Sequence, residues 1–103
     1  MATLDELRQQ LDRVDDQIVR LYEERMALCR QVGELKAQTG KAVLDEEREC
    51  RKLTDVSSKV HDPSNADGIR QVFMKLMDLS RDSQIKIIDD IKLSCDSKEK
   101  SNE

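Results

Sequence analysis

Leu4–Leu35, LDELRQQLDRVDDQIVRLYEERMALCRQVGEL, carries Leu4, Leu7, Leu11, Val14, Ile18, Leu21, Leu28, Val32 and Leu35 in a strict 3-4 alternation. That spacing brings every one of these side chains to one stripe of an α-helix, so it predicts a single long helix with one apolar seam. The seam breaks once. Between Leu21 and Leu28 the alternation passes through Arg25. A charge on a buried stripe is costly unless an anion meets it. The anion expected here is a bound substrate, with the rest of the chain arranged around it.

Thr3 can cap this helix, and Asp5 and Glu6 complement its dipole. Thr39 and Gly40 are a plausible stop, so the helix should end between Gln38 and Gly40. About 34 residues make a rod of about 50 Å, whereas a compact domain of this length has a radius of gyration of about 13 Å. The remaining residues could hardly cover such a rod. Either the helix breaks or a second chain covers the rest, and a homodimer is the favoured outcome.

Composition narrows the class. The chain has 103 residues, enough for one domain with a modest core. Charged residues make up 39% and aromatics 2%, which suits solvated helices and argues against a β-sandwich or barrel. A net charge of -4 argues against nucleic acid as a partner, because phosphate binding wants a basic face. No apolar run approaches a membrane span and no basic-then-apolar leader opens the chain. Cys29, Cys50 and Cys95 are odd in number and lack CxxC spacing. They point to a reduced, cytoplasmic setting with neither a disulfide framework nor a metal site.

After a loop over residues 41–44, Asp45 can cap a short second helix whose first turn is acidic. Cys50, Leu53, Val56 and Val60 would point inward. Its later half, Thr54 to Ser58, is poor in helix formers, so fraying is expected there. His61–Asp67 is a turn cluster, and His61 reads as surface. A third helix should run from about Asn65 to Leu93 on a stripe of Ile69, Val72, Phe73, Leu76, Met77, Ile87, Ile88 and Ile91. Ser80 and Gln84 interrupt that stripe one turn apart. The expected organisation is an all-α domain of three helices (long, short, long) over residues 1–93, then a polar, disordered tail over 94–103.

Arg25, Ser80 and Gln84 thus occupy positions meant for a core. Lys36 follows Arg25 by about three turns on the same face, about 16 Å along the axis. Asp45, Arg48 and Glu49 share one face at the start of the second helix. Taken together they would line a cation-rich pocket for a small, multiply anionic molecule. Singly, each has a plainer account: Arg25 could snorkel to a nearby Glu, Ser80 and Gln84 could be a satisfied core hydrogen bond, Lys36 and Arg48 could be solvated surface, and Asp45 a simple cap. The functional case rests on the set.

In order, the set is Arg8 in an LR pair, Asp15, Arg25 in EER, Val32-Gly33 followed by Lys36, Asp45-x-x-Arg48-Glu49, and Ser80-x-x-x-Gln84. It resembles the all-helical chorismate mutase family from about Leu4 to Gln84. The resemblance implies an intramolecular Claisen rearrangement of chorismate to prephenate, in phenylalanine and tyrosine biosynthesis, without a cofactor, metal, nucleophile or proton transfer. Catalysis would come from holding the dianion in a compact shape and from fixed donors where the ether oxygen gains charge. Carried over by position, Arg8, Arg25 and Arg48 would bind carboxylates with help from Ser80. Lys36 and Gln84 would donate to the ether oxygen, Glu49 would accept from the ring hydroxyl, and Asp45 would help position that end. Asp15 reads as structural.

Arg8 precedes Arg25 by about 26 Å along the same rod, so one helix cannot bring both to one small molecule. An interlaced antiparallel homodimer would, with Arg8 crossing the interface. Arg81 departs from the pattern, standing beside Ser80 where an apolar residue is expected; it would face solvent or tune the site. No dehydratase, dehydrogenase or synthase segment accompanies the helices, which implies a stand-alone mutase or a domain cut from a longer chain. Two other functions compete: an isochorismate–pyruvate lyase with the same fold, and a non-catalytic helical dimerisation or regulatory module.

Overall fold

The computed structural model describes the backbone of residues 1–101 and the side chains of residues 1–95. Three α-helices account for nearly all of it: α1 (Leu4–Thr39), α2 (Glu46–Lys59) and α3 (Ala66–Ser101), with a 3-10 turn at Pro63–Asn65 before the last. Among the described residues there is no strand. The ends of α1 form as their residues dictate. Thr3 accepts a hydrogen bond from the Glu6 N–H at 3.2 Å. Gly40 closes the helix at φ 72°, its N–H donating to the Lys36 carbonyl, in the left-handed conformation that glycine adopts without strain.

α2 starts at its cap, with Asp45 Oδ1 accepting from the Arg48 N–H at 3.1 Å. The expected fraying is absent, since the helix is regular through Lys59. Thr54, Ser57 and Ser58 bond back to carbonyls of their own helix, and Lys59 pairs with Asp55 at 2.9 Å. The hydrogen bond and charge of Lys59 hold the Asp55 carboxyl below its usual range. One inward assignment needs correcting. Cys50 is exposed, and the face turned to α3 is Glu49, Leu53, Val56 and Val60. Positions 49, 53, 56 and 60 fall on one stripe, and Cys50 lies about 100° round the helix from Glu49.

α3 begins after Asp62, whose carboxylate accepts from both the N–H and the hydroxyl of Ser64 and is held below its usual range by them. It outruns the expected end at Leu93, continuing to Ser101. Neither Gly nor Pro stands between Leu93 and Ser101, and without such a stop the helix has no reason to break. The last two residues of the expected tail, 102–103, lie outside the described residues.

α3 is the central element, with α1 and α2 each packed on it. α1 runs alongside α3 in the same direction: Arg25 meets Leu76 and Ser80, and Gly33 meets Gln84. By that register the first three turns of α1 lie beyond the start of α3 and have no neighbour. The shape is correspondingly long, 73 × 31 × 14 Å with a radius of gyration of 19.0 Å.

The core is scant. Val56 and Met77 are the buried hydrophobic residues among those described. Leu4, Leu7, Leu11, Val14, Ile18, Leu21, Leu28, Val32 and Leu35 are all exposed, from 43% to 64%. The seam is therefore not the face that α1 buries within its own chain. That face lies a step round, at Arg25, Met26, Cys29, Gly33 and Lys36. Arg25 sits where the two faces meet.

Candidate active site

A cavity of about 160 Å³ opens between the three helices, lined by Arg25, Cys29, Val32 and Lys36 of α1, Arg48, Glu49 and Lys52 of α2, and Met77, Ser80 and Gln84 of α3, with Val43 and Asp45 from the loop. Its size is close to the roughly 150 Å³ of an apolar cavity that admits benzene. Seven of the eight residues singled out from the sequence line it. Arg8 does not; it is exposed on the overhanging start of α1.

Gly33 packs against Gln84, which lines the cavity. A Cβ there would lie 3.1 Å from the Gln84 Cα, so glycine lets α1 and α3 approach closely at this level. Ser80 and Gln84, at 5% and 7% exposure, are the buried polar residues among those described. Ser80 is fully engaged. Its hydroxyl donates to the Leu76 carbonyl at 2.7 Å and accepts from the Cys29 thiol at 3.1 Å and from Arg25 Nη1. Gln84 is not: its Oε1 is buried without a hydrogen-bond partner. An unpaired buried acceptor costs about 1–3 kcal/mol.

The charges are unbalanced in favour of cations. Arg25 also reaches the Leu76 carbonyl at 3.5 Å, and Lys36 Nζ donates to the Val43 carbonyl at 2.8 Å, tying the loop to the end of α1. Among the described residues the ion pairs are those of Lys52 and Lys59 with Asp55 and of Arg81 with Glu49 and Asp78. Arg25, Lys36 and Arg48 have no carboxylate partner. The Glu that would have made Arg25 a simple snorkelling arginine is not there. The two acids on the wall are already employed, Asp45 as the α2 cap and Glu49 with Arg81. Three uncompensated cations around a part-closed cavity make a site for an anion with more than one negative group.

Some lining residues were missed in the sequence. Cys29 stands four residues after Arg25 and Lys52 four after Arg48, so both were legible as neighbours on the same face. The Val43 carbonyl carries no sequence signal. Arg81 neither faces free solvent nor lines the cavity; it pairs with Glu49. No group of His, Cys, Asp and Glu among the described residues could hold a metal ion, and no helix is long and apolar enough to cross a membrane.

Comparison with known proteins gives a family. The family model described as chorismate mutase type II matches residues 7–85. A bifunctional chorismate mutase/prephenate dehydratase of Aquifex aeolicus (strain VF5) is 41% identical over 49 residues, covering 48% of this chain and 14% of that protein. The chain thus spans a small part of the length of that relative.

Proposed function

Because the chain belongs to the chorismate mutase type II family, we propose that it converts chorismate to prephenate at the cavity between its three helices. The observation that carries this is the set of unpaired cations, Arg25, Lys36 and Arg48, facing buried Gln84 across one small space. The rearrangement breaks an ether C–O bond as a C–C bond forms, and the ether oxygen gains negative charge on the way. Arg25 and Arg48 bind the two carboxylates, Ser80 holding the Arg25 fork in place. Lys36 spends one of its three donors on Val43 and has two left for the ether oxygen. Gln84 donates to the same oxygen from its amide. Glu49 accepts from the ring hydroxyl, and Asp45 positions that end. Fixed donors aimed at developing charge are the larger part of such catalysis, and the compact substrate conformation supplies the rest.

The same proposal includes a cytoplasmic homodimer. The exposed seam of α1 packs on its copy, antiparallel, and Arg8 of one chain enters the site of the other. Purified protein mixed with chorismate tests the whole: the expected result is rapid loss of chorismate absorbance with prephenate as product. Pyruvate release from isochorismate with chorismate untouched would assign the lyase reaction instead. Inertness toward both, in a folded protein, would leave the helical module.

Two further outcomes follow. Gly33→Ala gains about 1 kcal/mol of helix propensity, yet its Cβ presses on the Gln84 backbone, which can yield only by moving α3 a few tenths of an ångström. Thermal stability should barely change while kcat falls about tenfold, since misplacement by about 1 Å can cost about a hundredfold. Unchanged kcat would mean that Gln84 needs no such placement. Second, the donor from α3 is an amide, Gln84, which needs no added proton to donate, whereas an acid at that position would have to be protonated first. The rate should be nearly flat from about pH 6 to about pH 9, and a steep loss above neutrality in a pH–rate profile would implicate another group.

A further inference from the structure

Arg81 lies outside the cavity and grips a residue that lines it. From α3, its Nη1 donates to Glu49 Oε1 on α2 at 2.8 Å, and its Nη2 donates to Asp78 one turn back on α3. The two side chains of the interhelical pair are 29% and 22% exposed, against 67% and 44% for Lys59 and Asp55. We propose that Arg81 is a positioning residue that holds the Glu49 carboxylate at the cavity edge and off the cations reserved for substrate. This rests on the reading of the cavity as a chorismate site.

The physical reason lies in what surrounds Glu49. It shares the cavity wall with Arg25, Lys36, Arg48 and Lys52. A carboxylate on a rotatable side chain among such cations is drawn to them by charge alone. Being tethered, it would pair without losing the translational freedom that a ligand loses on binding. A loose Glu49 is thus a built-in competitor for the arginines that clamp the substrate. Arg81 prevents this by occupying Oε1, which leaves Oε2 to accept from a substrate hydroxyl. The second arm of the fork, on Asp78, fixes the guanidinium plane, which a lysine could not do.

The test is steady-state kinetics of Arg81→Met, Arg81→Lys and Arg81→Met in a Glu49→Gln background, with thermal midpoints alongside. Arg81→Met should raise KM for chorismate about tenfold with kcat within about threefold, the pattern of lost ground-state binding. Arg81→Lys should recover part of the loss. In the Glu49→Gln background, where no carboxylate can compete, Arg81→Met should have no further effect on KM. An unchanged KM in Arg81→Met would overturn the assignment, as would an equal KM rise in both backgrounds, because Arg81 would then act independently of Glu49. If Arg81→Met does not fold, Arg81→Lys decides: a KM raised when it stands alone, but no higher than that of Glu49→Gln when the two are combined, supports the assignment, and an equal rise in both backgrounds overturns it. A wild-type protein that leaves chorismate intact fails at the first step, which removes the chorismate reading and this assignment with it.

Discussion

Arg25→Leu should lower kcat/KM for chorismate by two to three orders of magnitude, about 3–4 kcal/mol of transition-state stabilisation, while leaving the protein as stable as before or more so. The two halves of that result have one cause. Arg25 interrupts an otherwise apolar seam, and it does so with a guanidinium that has no carboxylate partner, bonded only to Ser80, the Leu76 carbonyl and the Cys29 thiol. Replacing an uncompensated, part-buried charge by a hydrocarbon of the seam removes a desolvation cost. Ser80 keeps its bond to the Leu76 carbonyl, so no buried hydroxyl is orphaned. What disappears is one arm of the clamp. Activity within a factor of about three of wild type, in a stabilised protein, would reduce Arg25 to a packing residue and favour the dimerisation module.

In the proposed homodimer, Arg8→Ala and Arg25→Leu should each be about a hundredfold or more less active as pure proteins, yet refolding the two together should restore about a quarter of wild-type activity. Random pairing makes about half the dimers mixed, and one of the two sites in each mixed dimer takes Arg8 and Arg25 from intact copies. The expectation comes from two features of one helix. Arg8 is exposed on the overhang of α1, well clear of the cavity, and the seam beside it is bare. No recovery on mixing, with heterodimers demonstrated by mass, would place Arg8 outside the site or within its own chain's site.

The long helix was legible because a 3-4 alternation of this length, with Thr3 before it and Gly40 after it, has one low-cost solution. The face it buries was less so. A heptad marks one seam, and α1 has a second contact face, at Met26, Cys29 and Gly33, whose mixed chemistry carries no period of its own. Likewise Arg25, Ser80 and Gln84 could be singled out because each is polar where the pattern calls for apolar, Lys36 because it shares a face with Arg25, and Asp45, Arg48 and Glu49 because they share one face at the start of α2. The grip of Arg81 on Glu49 could not, because it depends on the register of α2 against α3, which no local spacing encodes. The run of α3 past Leu93 has no apolar signal for a simpler reason: the periodicity stops there, although helix-compatible residues continue.

The bare seam has a consequence for how the protein comes to exist in a cell. A newly made chain that has formed its helices still presents nine large apolar side chains to water along one rod, a surface of the kind that drives non-specific aggregation. In the proposed pair only an encounter with a sister chain removes it. The yield of usable protein then depends on the square of the chain concentration at early times, and expression that is too sparse is as damaging as a mutation. Chains born close together, as on one messenger, have the advantage.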